Sequence, residues 1–208
     1  FITFHERKLK LLLEEKKEAP FEYQWGLPGK FILPDENSDK ALEELINPLV
    51  GSFSYYNKKL ATFSDLGRHP EGRIINYTYY GLAPYNKIKE NNNHGQRWCE
   101  LTKIPELIID HNTIIKKVLK RFRNGLLKHP IVFELLPEKF IISDIISIYE
   151  EMFNQKVDVR NLRKKLLASG LLSPTGKTKK NELFNGRPAQ LYSLSNLEKD
   201  KKEKIQFE

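Results

Sequence analysis

The chain has 208 residues, a net charge of +8, and 39% hydrophobic and 11% aromatic residues, enough for one large or two modest domains with a true core. No run approaches the roughly 20 apolar residues of a membrane-crossing helix, which excludes a helical span. A single cysteine, Cys99, excludes an intrachain disulfide and fits a reducing cytoplasm, while the positive excess points to an anionic partner, nucleic acid first. The chain begins at Phe1 rather than at a methionine, so residues preceding it are expected. Phe1–Phe4 and Lys8–Leu13 read as a hairpin turning at His5-Glu6-Arg7. Lys16–Glu22 is a polar loop. A helix starts at Ser38 or Asp39 and carries Ala41, Leu42, Leu45 and Ile46. Pro48 is expected to end or kink it, because proline lacks the N–H and clashes with the preceding turn.

The first patterned stretch runs Trp25-Gly26-Leu27-Pro28-Gly29-Lys30-Phe31-Ile32-Leu33-Pro34-Asp35-Glu36. Tryptophan-glycine, leucine-proline-glycine, a short strand, proline-acid-glutamate and a helix reaching Gly51 together resemble the Nudix motif. That motif runs glycine, five residues, glutamate, seven residues, then arginine-glutamate-aliphatic-any-glutamate-glutamate-any-glycine, and its glutamates bind a divalent metal at a diphosphate. Here Lys30 stands at the first glycine and Glu36 matches the first glutamate. Glu44 stands for the arginine and Leu45 for the next glutamate. Ile46 and Gly51 match, and Pro48 and Leu49 replace the metal-binding pair. Proline and leucine offer no oxygen to Mg²⁺. The resemblance therefore implies a Nudix-like domain without hydrolase chemistry, with no catalytic residue, bound metal or cofactor.

Tyr55–Ser64 and Ile74–Leu82 read as strands around the turn Leu66–Arg73. The phrase Phe63–Tyr80 is similar to a segment of the Nudix-related transcriptional regulators, the NrtR-like kind, where it helps form an effector pocket. Arg68 and Arg73 are then candidates to grip a phosphate, or equally a charged hairpin turn. Asp65, Asn76 and Tyr79 are candidates for a free sugar, and Glu36 joins the effector-contacting set. Asn86–Gln96 is a polar loop and Arg97–Leu101 a strand. His111–Leu127 is a helix with Ile114, Ile115, Val118, Leu119, Phe122 and Leu126 inward and Lys116, Lys117, Lys120, Arg121 and Arg123 outward. His111 and His129 lack companions at ligand spacing and read as structural.

Ser143–Asn154 reads as a capped helix bearing Ile145, Ile146, Tyr149, Met152 and Phe153. A turn over Gln155–Val157 leads to a second helix between the N-cap Asp158 and the stop Gly170, the spacing of a helix-turn-helix. Val159, Leu162 and Leu166 form its apolar stripe, with Arg160, Asn161 and Lys164 opposite and Arg163 and Lys165 on the flanks. A basic loop, Thr175–Lys180, and a strand, Gly186–Leu194, follow. That is a winged-helix layout, with the second helix for the major groove and the basic hairpin over the backbone. Between Lys156 and Gln190, nine Lys or Arg stand against two acids, a net +7 out of +8. Such concentration is an electrostatic footprint. Leu135-Leu136-Pro137, Asp158–Lys165, Ser169–Leu172 and Gly186–Ala189 with Leu191-Tyr192 repeat the likeness to the regulators, which covers about Trp25 to Leu194.

The reading is an α+β chain: a Nudix-like α/β/α sandwich over 1–127, a winged helix-turn-helix domain over 128–195 and a charged tail over 196–208. The resemblance implies a cytoplasmic homodimeric transcriptional regulator, expected as a repressor. It would bind a palindromic double-stranded DNA operator and sense a small molecule without turning it over. Arg160, Asn161 and Lys164 are expected at base edges; Arg163, Lys165, Lys177, Lys179 and Lys180 on phosphates; Arg187 at the minor groove. Family members respond to ADP-ribose or to pentose and related sugars, and the operon would serve NAD synthesis or sugar catabolism accordingly. The free sugar is the expectation of the two. The alternative is a divergent hydrolase of a nucleoside-diphosphate sugar with an accessory basic domain.

Overall fold

The computed structural model describes residues 1–50, 55–89, 95–180, 186 and 188–195. Gly51 and Arg187, both singled out in the sequence, lie outside the described residues. Two strands open the chain, β1 (Ile2–His5) and β2 (Lys8–Glu15), paired antiparallel with His5 opposite Lys8. Glu6 and Arg7 at the turn have φ of 50° and 63°, the left-handed pair that matches the twist of a two-residue hairpin. β3 (Trp25–Gly26) pairs with β2, and so does β6 (Gln96–Glu100). β4 (Tyr56–Phe63) and β5 (Asn76–Leu82) form a second hairpin with a bulge between Lys59 and Ala61. β5 joins β1 in parallel, giving a six-stranded sheet in which β6 branches from β2.

β2 shows why the sheet needs two covers. Side chains alternate across a strand. Leu9, Leu11 and Leu13 enter a core shared with Ile114, Val118, Phe122 and Leu126 of α2 (His111–Lys128). Leu12 points the other way and is buried with Ile46 and Leu49 of α1 (Ser38–Val50). One helix on each face is the expected α/β/α sandwich. The first core does not stop there. It takes in Ile131–Leu136, the inner face of α3 (Ile142–Phe153) and Tyr192. Gly125 permits this closeness, because a Cβ there would collide with the Ile131 side chain.

α4 (Val159–Ala168) follows α3 across a short turn opened by Asn154 in the left-handed conformation. β7 (Leu172–Lys180) and β8 (Pro188–Leu194) form the closing hairpin, and Phe140 and Tyr192 exchange backbone hydrogen bonds of 3.0 and 2.8 Å that fasten it to the start of α3. Polar links also cross between the sheet and α3. Lys8 Nζ lies 2.6 Å from Glu151, and Arg7 donates to Ser147 Oγ at 3.1 Å. Tyr149 Oη donates to the Leu126 carbonyl at 2.9 Å.

The structure corrects four expectations. Helix α1 runs two residues beyond Pro48, which sits in its last turn and supplies no N–H to the carbonyl four residues back. Phe31-Ile32-Leu33 is not a strand; it has no edge to pair with, and Phe31 is 71% exposed. Thr175–Lys180 is not a loop but the outer half of β7, with a register shift around Gly176 (φ 73°). The apolar stripe of α4 is Leu162 and Leu166 alone, because the first turn stands clear of the core and leaves Val159 37% exposed. Among the described residues no helix is long and apolar enough to cross a membrane.

Replacing the fully buried Phe122 by alanine should cost about 3–5 kcal/mol in urea unfolding; a loss below about 1 kcal/mol would show that α2 is not the cover of the sheet.

Candidate nucleic-acid interface and ligand pocket

The interface is built from α4 and β7. Asp158 caps α4 by accepting from the Asn161 N–H at 3.0 Å, and Gly170 (φ 72°) follows its end in the conformation that glycine tolerates best. Leu162 and Leu166 seat the helix on the core. That rotation leaves Arg160, Asn161, Arg163, Lys164 and Lys165 all exposed. Lys177, Lys179 and Lys180 are exposed along β7. The fold thus places eight of the nine predicted DNA contacts in solvent on one helix and one hairpin, and the ninth, Arg187, is outside the described residues. Asp144 faces this region: its carboxylate accepts from the Ile141 N–H at 3.2 Å, and burial pushes its pKa up.

The candidate ligand pocket lies against the first sheet and has a volume of about 1420 Å³. Four of the six predicted effector contacts line it: Arg68, Arg73, Asn76 and Tyr79. They are not equally available. Arg68 is held by Asp110 through two hydrogen bonds, Nε to Oδ2 at 3.1 Å and Nη2 to Oδ1 at 2.6 Å, and its side chain is 5% exposed. This pair fastens the β4–β5 turn to the start of α2, and Asp110 makes no side-chain cap on that helix. Arg73 is exposed. Tyr79 Oη lies 3.0 Å from Ser38 Oγ and donates to Asp39 at 3.0 Å, tying β5 to the first turn of α1. Asn76 accepts from Thr78 Oγ1. Asp65 is exposed and is not among the lining residues, nor is Glu36.

Sequence reasoning missed one wall. The loop taken only as polar supplies Lys16 through Phe21 to the pocket. Phe21 meets His69 edge-on with ring centroids 5.4 Å apart. The apolar trio Ala19-Pro20-Phe21 inside that loop was the available signal. His111 also lines the pocket. It is structural, as read: its Nδ1 accepts from the Leu27 N–H at 2.9 Å. Gly26 beside it has no room for a side chain, since a Cβ would lie 3.0–3.1 Å from Ile108 and His111.

The residues present do not suit a divalent ion. The side chains that α1 turns to the pocket are Ser38, whose hydroxyl is engaged with Tyr79, and Ala41, Leu42, Leu45 and Ile46, which have no oxygen. Leu49 is buried in the core beneath α1. Among the described residues, no group of three or more His, Cys, Asp or Glu is placed to hold a metal. Mg²⁺ demands several oxygens at short range.

The model of the NrtR DNA-binding winged helix domain matches residues 132–194. That stretch is similar to the NrtR winged helix domain. Its fold is that of the crystal structure of Shewanella oneidensis NrtR complexed with a 27mer DNA, with a TM-score of 0.79 and 24% identity over 93% of this chain and 90% of that one. The ADPR responsive transcriptional repressor NtrR of Acinetobacter baylyi is 23% identical over 194 residues, 90% of this chain and 76% of its own. The ADP-ribose pyrophosphatase of Methanocaldococcus jannaschii is 27% identical over 121 residues, 58% of this chain and 71% of its own. The likeness to NrtR is thus one of whole-chain architecture, a Nudix-type domain followed by a winged helix.

His111 supplies a pH test. Burial, with Lys16 nearby, lowers its pKa from 6.5 to about 4. Between those values the unfolded chain binds a proton that the folded chain refuses, so stability falls as pH drops from 6.5 to 4. The loss should approach about 3 kcal/mol in urea unfolding, and His111→Gln should flatten that slope. An unchanged slope would place the titration elsewhere.

Proposed function

We propose that the chain is a DNA-binding transcriptional repressor whose Nudix-type domain senses ADP-ribose and does not hydrolyse it. The observation that carries this reading is the joining of two features in one core. A seated helix and hairpin expose a net positive face, and a roomy pocket lies against the sheet that packs on α3. The A. baylyi relative is named for response to ADP-ribose and for repression. That name moves the choice of effector from free sugar to ADP-ribose, and with it the choice of operon from sugar catabolism to NAD metabolism.

The pocket chemistry accords with such a ligand. Phe21, His69, Tyr77 and Tyr79 offer flat faces to a base, and Arg73 and Lys17 offer positive charge to a diphosphate. Arg68 serves as the fixed base of that wall, since Asp110 already occupies its guanidinium. The pyrophosphatase of M. jannaschii favours the hydrolase alternative. The apolar face that α1 turns to the pocket weighs against it, because a diphosphate hydrolase needs a charge-bearing metal that this face does not hold.

On the DNA side, Arg160, Asn161 and Lys164 read base edges, while Arg163, Lys165, Lys177, Lys179 and Lys180 hold phosphates. Arg187 belongs to the same hairpin and is assigned to the minor groove on sequence grounds. A homodimer on a palindrome places two copies of α4 one helical turn apart. Residues 1–127 act as the sensor and 128–195 as the reader, in a cytoplasmic protein.

Selection from a random duplex library should yield an inverted repeat. Arg160→Ala should then cost about 1–3 kcal/mol at one base pair and relax selectivity there. Lys179→Ala should weaken all duplexes alike and lower the salt slope by about one. No affinity for any duplex at modest salt would overturn the reading. ADP-ribose incubated with the protein and Mg²⁺ should stay intact; steady turnover would favour the hydrolase.

A further inference from the structure

Lys30 stands at the motif position where a Nudix hydrolase carries glycine, and its side chain does something a glycine cannot. Its Nζ lies 3.1 Å from Glu36 and 2.5 Å from Glu44 Oε2. Glu36 is the residue that matches the first glutamate of the motif, and its side chain is 2% exposed. Its Oε1 also accepts from the Leu33 N–H at 2.9 Å. That backbone hydrogen bond first, and Lys30 after it, hold the Glu36 carboxyl below its usual range. Lys30 lines the pocket. One ammonium thus serves two carboxylates at the edge of the ligand cavity.

Lys30 supplies from the chain itself the positive charge that Glu36 and Glu44 would otherwise take from solution. A divalent ion entering this corner would have to displace Lys30 from both carboxylates, breaking charge-assisted hydrogen bonds and leaving a positive group beside the ion. It would find only the carboxylates of Glu36 and, from α1, Glu44, since the neighbouring Ala41, Leu42, Leu45 and Ile46 carry no oxygen. We propose that Lys30 is a tethered counter-ion that occupies Glu36 and Glu44 and bars a divalent metal from this corner, so that the pocket takes its diphosphate ligand without a metal. The proposal deepens the ADP-ribose reading and rests on it for the ligand, though not for the role of the lysine.

The charges fix where the diphosphate goes. Lys30 with Glu36 and Glu44 carries one positive and two negative charges, so this corner does not attract phosphate. The diphosphate is met instead by the cations away from it, Arg73 and Lys17. Here the carboxylates are satisfied internally and the ligand is held elsewhere, which separates binding from cleavage.

The test uses the full chain. Free Mn²⁺ is titrated by electron paramagnetic resonance against the parent, Lys30→Gly and Lys30→Arg, with Lys30→Met as a second variant if glycine unsettles the loop. The parent and Lys30→Arg should show no saturable site below millimolar Mn²⁺. Lys30→Gly or Lys30→Met should gain affinity by at least tenfold. ADP-ribose titrated by calorimetry against the parent should give the same Kd, within about twofold, in EDTA and in Mg²⁺. Parent affinity for Mn²⁺ equal to that of Lys30→Gly, or neutral variants as indifferent to the ion as the parent, would overturn the role of Lys30. A tenfold gain in ADP-ribose affinity with Mg²⁺ would overturn metal independence. If ADP-ribose binds in neither buffer, the ligand assignment fails, and the Mn²⁺ titrations still decide what Lys30 does.

Discussion

The structure depends on the alternation of β2. A strand has two faces and no choice about which residues go to which. In β2 this period buries Leu12 under α1 and sends Leu9, Leu11 and Leu13 into the core that also holds α2, α3 and Tyr192. Slipping the register by one residue would exchange the two sets and expose the core of both units at once. The strand that closes the ligand pocket with Leu11, Glu14 and Glu15 is therefore the strand on which the winged helix rests.

Charge is divided in the same economical way. On α4 and β7 the cations face solvent, where a partner can meet them. In the sensor half, several are consumed internally: Arg68 by Asp110, Lys8 by Glu151, Lys30 by Glu36 and Glu44. The first two fasten elements to one another, and such pairs contribute through geometry more than through net attraction. The third joins one ammonium to two carboxylates at the pocket edge. The exposed positive charge of α4 and β7 thus stands beside a first unit in which several cations are already paired.

What was legible in the sequence follows from range. Caps and periodic faces are local, and Asp158, Gly170 and the inward residues of α2 were visible as such. The winged helix was legible because a short turn and a capped helix occupy fixed spacings. The sequence leaves Arg68 open between a ligand contact and a charged turn, because its partner Asp110 lies 42 residues away. The pocket wall from Lys16 to Phe21 was missed because a wall is made by tertiary contact. Phe31–Leu33 has strand chemistry and no neighbour to pair with. Thr175–Lys180 has loop chemistry and a partner in β8 that makes it a strand.

The central claim is that pocket and reader share one core and hence one equilibrium. The direct measurement is DNA affinity of the full chain at fixed salt, with and without ADP-ribose at a concentration shown by calorimetry to fill the pocket. A change of at least tenfold, about 1.4 kcal/mol, is the predicted result. An unchanged DNA affinity with the pocket demonstrably filled would contradict the account.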